Sequence, residues 1–179
     1  MARFTSLPPK DHPSVWGDLW DTDMTPWDRG GPSAPLDDIL TSRPDLFPRR
    51  PDGSRGTALV PGCGRGHDAL LLASFGYDVV GLDLAAKAIR EARDNEAKLD
   101  LDATYPLKEG VQKRGRTTWI DGNFFDDSVL RNAGVDKFDL IFDYTVRSRL
   151  KYPPTPSSQY LKRYPPHRSH FFNSPTFMP

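Results

Sequence analysis

Ala58-Leu-Val-Pro-Gly-Cys-Gly-Arg-Gly-His-Asp68, followed by Leu71-Leu-Ala-Ser-Phe-Gly-Tyr-Asp-Val-Val-Gly-Leu-Asp83, carries the fold of this 179-residue chain. Thr57–Pro61 is a short apolar run stopped by glycines, the pattern of a strand buried on both faces. Ala69, Leu70, Leu72 and Ala73 mark the inner side of a helix over Gly66–Phe75, which Gly76 ends as a left-handed cap. Tyr77–Leu82 reads as a second strand, with the acid Asp83 just beyond it. A strand, glycine turn, helix, strand and acid in this order hold a nucleoside at the carboxyl end of a parallel sheet.

Working outward, Ala85, Ala88, Ile89 and Ala92 recur at helical spacing and predict a second helix to about Leu99. The basic stretch 108–116 reads as a solvated loop. A third strand is expected at Thr117–Ile120 and a fourth at Phe138–Tyr144. Strands alternating with helices dictate right-handed crossovers and an α/β, Rossmann-like parallel sheet. Residues 1–56, rich in Pro, Asp and Trp, are expected to form an irregular N-terminal cap with one short helix near Leu36–Leu40. Residues 57–146 form the nucleoside-binding core, and 147–179 a Pro-rich basic tail expected to be disordered.

The formal net charge is zero, so nothing global points to a polyanionic partner. The balance is uneven: residues 144–179 carry six Lys or Arg and no acid, leaving −6 on the rest. Cys63 is the single cysteine, which suits a reducing compartment and excludes an internal disulfide. Without a leader or a long apolar run, the expected location is cytoplasmic, with neither membrane nor nucleic acid as partner. His12, His67, His167 and His170 have no metal-ligand spacing, so no metal is expected.

The glycines of Gly62-Cys-Gly-Arg-Gly66 are spaced GxGxG, and Asp83 lies 21 residues after Gly62. A carboxylate there accepts from both ribose hydroxyls in NAD and adenosylmethionine sites alike. A dinucleotide fingerprint leaves room for a pyrophosphate with its third glycine one residue later. The early glycine, together with Asp143-Tyr-Thr145 at the fourth strand's end, favours S-adenosyl-L-methionine and keeps an NAD-dependent oxidoreductase as the alternative.

These blocks resemble the class I S-adenosylmethionine-dependent methyltransferases. Within them the chain is similar to the thiopurine methyltransferase superfamily, especially its plant and fungal thiol/halide branch. The resemblance covers roughly residues 14–145 and includes Trp16-Gly-Asp-Leu-Trp20, Thr25-Pro-Trp-Asp28 and Phe138-Asp-Leu-Ile-Phe-Asp-Tyr-Thr145. It implies that Trp16, Trp20 and Trp27 fold over the cofactor, since ring faces attract a sulfonium cation. It also implies that Gly62 meets the cofactor's methionine end, Asp83 its ribose, and Asn123 and Phe124 its adenine. Tyr144 would sit beside the cofactor, near the substrate. The family has Asp where Asn123 stands, and relatives place a serine cap at Ala85-Ala86, a loss of about 1 kcal/mol of local helix stability.

The implied reaction is displacement of the sulfonium methyl by a small thiol, hydrosulfide or halide, which needs alignment more than a general base. No catalytic residue is assigned. The family continues past Tyr144 into further strands, but Val146 onward carries no such pattern. The chain is therefore expected to be truncated or altered after about residue 145. That expectation leaves an incomplete C-terminal half and an exposed apolar edge on the fourth strand. A non-catalytic cofactor-binding fragment of such an enzyme is the second alternative.

Overall fold

The computed structural model describes residues 12–47, 49–50, 53–124, 126–132, 134, 137–144 and 170–172. Helices α1 (His12–Asp21) and α2 (Ala34–Ser42) precede strand β1 (Thr57–Pro61), helix α3 (His67–Ser74) and strand β2 (Asp78–Asp83). Then follow α4 (Ala86–Lys98), the single turn α5 (Leu101–Thr104), β3 (Thr117–Asp121), α6 (Asp127–Asn132), β4 (Leu140–Phe142) and β5 (His170–Phe172).

The strands form one parallel sheet in the order β3-β2-β1-β4-β5. From β1 the chain winds outward through β2 to β3, then returns to place β4 on the other side of β1. The order therefore reverses between β1 and β4, and a crevice opens at the carboxyl ends of such neighbours. Period-two alternation gives β1, β2 and β4 two buried faces. Ala58, Val60, Val79, Leu140 and Phe142 face the layer built by α3 with Leu36, Leu40, Ile89 and Ala92. Leu59, Val80, Leu82 and Ile141 face Leu130 of α6 and Phe138. Apolar residues at consecutive positions in β1 and β4 are what this double coverage requires.

The cap segment is more ordered than its composition suggests. Trp16, Leu19 and Trp20 share one side of α1, which packs on α4. Asp23, at φ +55°, takes the left-handed position that ends α1, a role usually filled by glycine. Its carboxylate meets Lys87 of α4 at 2.7 Å.

The fourth strand is shorter than expected. Asp139 spends its carboxylate on the Thr57 backbone N–H at 2.8 Å and on Arg50, so regular pairing starts only at Leu140. Its outer edge is not bare, which corrects the expected exposed edge. His170–Phe172 run parallel to it, in the register Ile141↔Phe171. Those three residues also depart from the disordered tail expected there; the remainder of 145–179, Thr145 included, lies outside the described residues.

Candidate cofactor site

The site is built on the turn between β1 and α3. Gly62, Gly64 and Gly66 have φ of +63°, +53° and +82°, a left-handed alternation that side chains resist. Gly62 is exposed at the crevice. The Cys63 N–H donates to the Leu82 carbonyl at 3.0 Å, tying the turn to β2. Burial, with Asp83 nearby, pushes the Cys63 thiol well above its usual range, which disfavours the thiolate.

Asp83 ends β2 with both carboxylate oxygens engaged. Oδ2 accepts the Gly64 N–H and Oδ1 the Ala85 N–H, each at 3.0 Å. Burial raises its pKa, and these backbone donors oppose the rise. The second bond also explains how α4 starts without a side-chain cap at Ala85.

The three tryptophans come together beside this turn. Trp16 meets Trp27 edge-on with centroids 5.0 Å apart, and Trp20 meets Trp27 at 6.3 Å. They are not equivalent. Trp20 is 3% exposed, packed with Ala85 and Ala88, and carries the Arg65 guanidinium over its ring at 5.4 Å. It anchors the group, whereas Trp16 and Trp27 remain half-buried.

After β3 the Gly122 N–H donates to the Asp83 carbonyl at 2.9 Å, which brings Asn123 to the same end of the sheet. Asn123 is exposed, while Phe124 packs into the Leu59–Val80–Leu82 layer. Asp126 accepts from the Ser128 N–H and hydroxyl, so it starts α6, as a helix-start charge should. Tyr144 stacks on Phe142 at 6.3 Å under Arg29, whose guanidinium lies 5.9 Å from the Tyr144 centroid. The expected residues thus lie along one edge, at the carboxyl ends of β1, β2, β3 and β4, with the tryptophans beside β1 and β2.

The model of the thiopurine S-methyltransferase family matches residues 11–161. The chain belongs to that family. It is 34% identical over 146 residues to thiocyanate methyltransferase 1 of Brassica oleracea, covering 82% of this chain and 53% of that one. It is 31% identical over 132 residues to probable thiol methyltransferase 2 of Arabidopsis thaliana, covering 73% and 46%. Among solved structures it is similar to magnesium protoporphyrin IX methyltransferase of Synechocystis PCC 6803, 16% identical with a TM-score of 0.47 over 75% of this chain and 58% of that one. The chain spans about half the length of the curated relatives it matches.

This family member also holds a polar cluster that sequence reasoning passed over. Asp68, in the first turn of α3, accepts the Ser33 N–H at 2.7 Å and so pins the start of α2. Burial lifts its pKa to about 6. His67 Nδ1 lies 2.7 Å from the Tyr105 hydroxyl; burial lowers the His67 pKa and pushes Tyr105 up to about 12. His67 Nδ1 and the Tyr105 hydroxyl share this hydrogen bond, the tautomer of the imidazole setting which of them donates. The available signal was a His-Asp pair opening a helix directly after a glycine turn, but its partners are far away in sequence.

Because the folded pKa of Asp68 exceeds its unfolded value, the protonated form favours folding, and that contribution fades as pH rises through about 6. Asp68→Asn keeps an acceptor for Ser33 without a buried charge. It should match the wild type near pH 4 and exceed its thermal midpoint by a few degrees, roughly 1 kcal/mol, at pH 7.5. Melting curves across that range check the prediction, and equal midpoints at pH 7.5 would refute it.

A cavity of about 270 Å³ opens beside the site, between α1 and the start of α4, lined by Gly17, Trp20, Asp21, Leu84–Lys87 and Arg90. Of the expected site residues, Trp20 alone borders it. Among the described residues no His, Cys, Asp or Glu group is placed to hold a metal, and no helix is long and apolar enough to cross a membrane.

Proposed function

We propose that this chain binds S-adenosyl-L-methionine and transfers its methyl group to a small thiol, hydrosulfide or halide. The observation carrying the reading is Asp83, fastened to the Gly64 N–H at the carboxyl ends of β1 and β2, in a family named for S-methyl transfer. The donor set fits. Asp83 Oδ2 takes the Gly64 N–H and Oδ1 the Ala85 N–H, and the roughly four lone-pair sites of a carboxylate leave acceptor capacity for ribose. Gly62 offers an exposed backbone without a side-chain wall. Asn123 offers an amide oxygen to the adenine amine, and Phe124 an apolar flank. Bound there, the cofactor supplies a methyl group made electrophilic by its sulfonium.

The chain's own residues bind, orient and exclude water. Trp16 and Trp27 present aromatic surface of the sign a sulfonium prefers, over the base that Trp20 anchors. Tyr144 marks the acceptor side. An acceptor that arrives as an anion needs no proton removed, which agrees with the lack of a nucleophile-and-base pair among these side chains. The same reading puts the protein in the cytoplasm, with a small-molecule acceptor and neither nucleic acid nor membrane as partner.

Titration of the full chain with adenosylhomocysteine, followed by gas chromatography of methylated products from hydrosulfide, thiocyanate and iodide, tests it. Saturable binding with a volatile methyl product is the expected result. Binding without product would favour a non-catalytic binding chain. Failure of both would sink the assignment, and enhanced NADH fluorescence would then favour the dehydrogenase.

A further inference from the structure

We propose that Arg65 is a positioning residue whose clasp on residues 25–28 sets the affinity of the cofactor site; the inference rests on the adenosylmethionine reading above. Arg65 lies between two left-handed glycines, so the turn fixes where its side chain leaves the backbone. Its Nη1 donates to the Asp28 carboxylate and to the Thr25 hydroxyl, the latter at 3.2 Å. Its Nε donates to Glu91 Oε2 of α4 at 2.6 Å, and its carbonyl accepts from Asn95 at 3.0 Å. One guanidinium therefore joins the glycine turn, α4 and the segment bearing Trp27.

The chemistry suits arginine specifically. A planar fork serves two carboxylates in different directions while its face lies on an indole, which a lysine ammonium cannot do. Arg65, Asp28 and Glu91 have side-chain exposures of 27%, 13% and 24%, so the pairs are sheltered from solvent. Removing the cation leaves two half-buried carboxylates without their shared partner, with Lys87 compensating Glu91 only from 3.9 Å.

Two further ties flank this one, Asp23 to Lys87 and Ser33 to Asp68. Residues 24–32 form a strap held at both ends, and Arg65 is its central fastening. Because the guanidinium covers a face of Trp20, the aromatic surface left to the cofactor is that of Trp16 and Trp27. The clasp fixes Trp27 relative to Gly64 and Asp83. It lies on the surface side of the sheet's core, so its loss should loosen the strap and leave the fold standing.

Arg65→Gln, Arg65→Lys, Asp28→Asn and the double variant Arg65→Gln/Asp28→Asn, in the full chain, test the proposal. The readouts are adenosylhomocysteine affinity, acrylamide quenching of tryptophan emission and the thermal midpoint. Arg65→Gln should weaken binding about tenfold, the scale of losing a sheltered charge-assisted contact. It should raise quenching, since three of the four tryptophans lie in residues 16–27. Lysine should restore part of both, and the double variant should bind no worse than Arg65→Gln alone. Unchanged affinity and quenching in Arg65→Gln, additive losses in the double variant, or a loss that follows unfolding without lysine rescue would each overturn it. If the wild type binds no adenosylhomocysteine, the cofactor reading fails by itself, and the quenching contrast still decides whether Arg65 clasps the strap.

Discussion

Gly66→Ala is expected to lower the thermal midpoint by about 10 °C, a loss of about 3 kcal/mol. Two costs combine at this position. Its φ of +82° is one that L-residues adopt at a penalty of about 1 kcal/mol. A Cβ there would also lie 2.5 Å from Cη2 and 2.9 Å from Cζ3 of Trp119. The indole cannot swing aside, because its Nε1 donates to Glu96 at 2.7 Å and its ring is buried in the α3–α4 layer. Trp119 sits opposite Gly81 in the β2–β3 register, and Gly81 too has no room for a Cβ beside that ring. The large ring and the two glycines are one packing unit. In a Trp119→Phe background, Gly66→Ala should cost little beyond the backbone penalty of about 1 kcal/mol, since phenylalanine lacks the clashing atoms. Differential scanning fluorimetry reads both comparisons. A single-variant midpoint within 2 °C or so of the wild type would show that the turn can relax.

What the sequence disclosed, and what it hid, divides along sequence distance. β1, the glycine turn and the approach to Asp83 were legible because each signal is local: an apolar run, glycines at fixed spacing, an acid at a strand end. Helix α1 was not legible, because Gly17 interrupts its apolar face and its stop is Asp23 rather than a glycine. β5 was hidden by its shortness, three residues in a segment rich in proline, whose pairing depends on an edge that β4 provides. The start of β4 was misjudged for a different reason. Asp139 reads as an ordinary interruption of an apolar run, yet its carboxylate takes the place of a strand partner for Thr57.

The candidate site shows the same division. The residues at strand ends could be placed along one edge because a parallel sheet puts every carboxyl end on the same side. The contacts that give each residue a separate task could not. Arg65 meets Asp28 across 37 residues, and Asp68 meets Ser33 across 35. Neither pair has a spacing that any local rule recognises. The tryptophan trio looked uniform in sequence for the same reason, and only burial separates the anchoring Trp20 from Trp16 and Trp27.

Asp83→Asn is expected to weaken adenosylhomocysteine binding by about 100-fold, roughly 3 kcal/mol. The substitution is nearly isosteric, so size is not the reason. Oδ1 and Oδ2 each face a backbone N–H, and an amide has only one oxygen. Whichever way it is turned, its NH2 group meets either Gly64 or Ala85 donor to donor. With its NH2 group toward Ala85, it removes the bond that supports the start of α4, which has no side-chain cap. With its NH2 group toward Gly64, it loosens the glycine turn, and in both cases a ribose bound as proposed would lose an acceptor. Asp83→Ala removes both acceptors and leaves both N–H groups unpaired, so it should bind no better than Asp83→Asn. Steric reasoning alone would keep that order but place asparagine close to the wild type. Calorimetric titration of both variants, with circular dichroism to establish folding, separates the two accounts. An asparagine variant that binds within threefold of the wild type would remove Asp83 from the ribose, and with it the main support for a nucleoside at this end of the sheet.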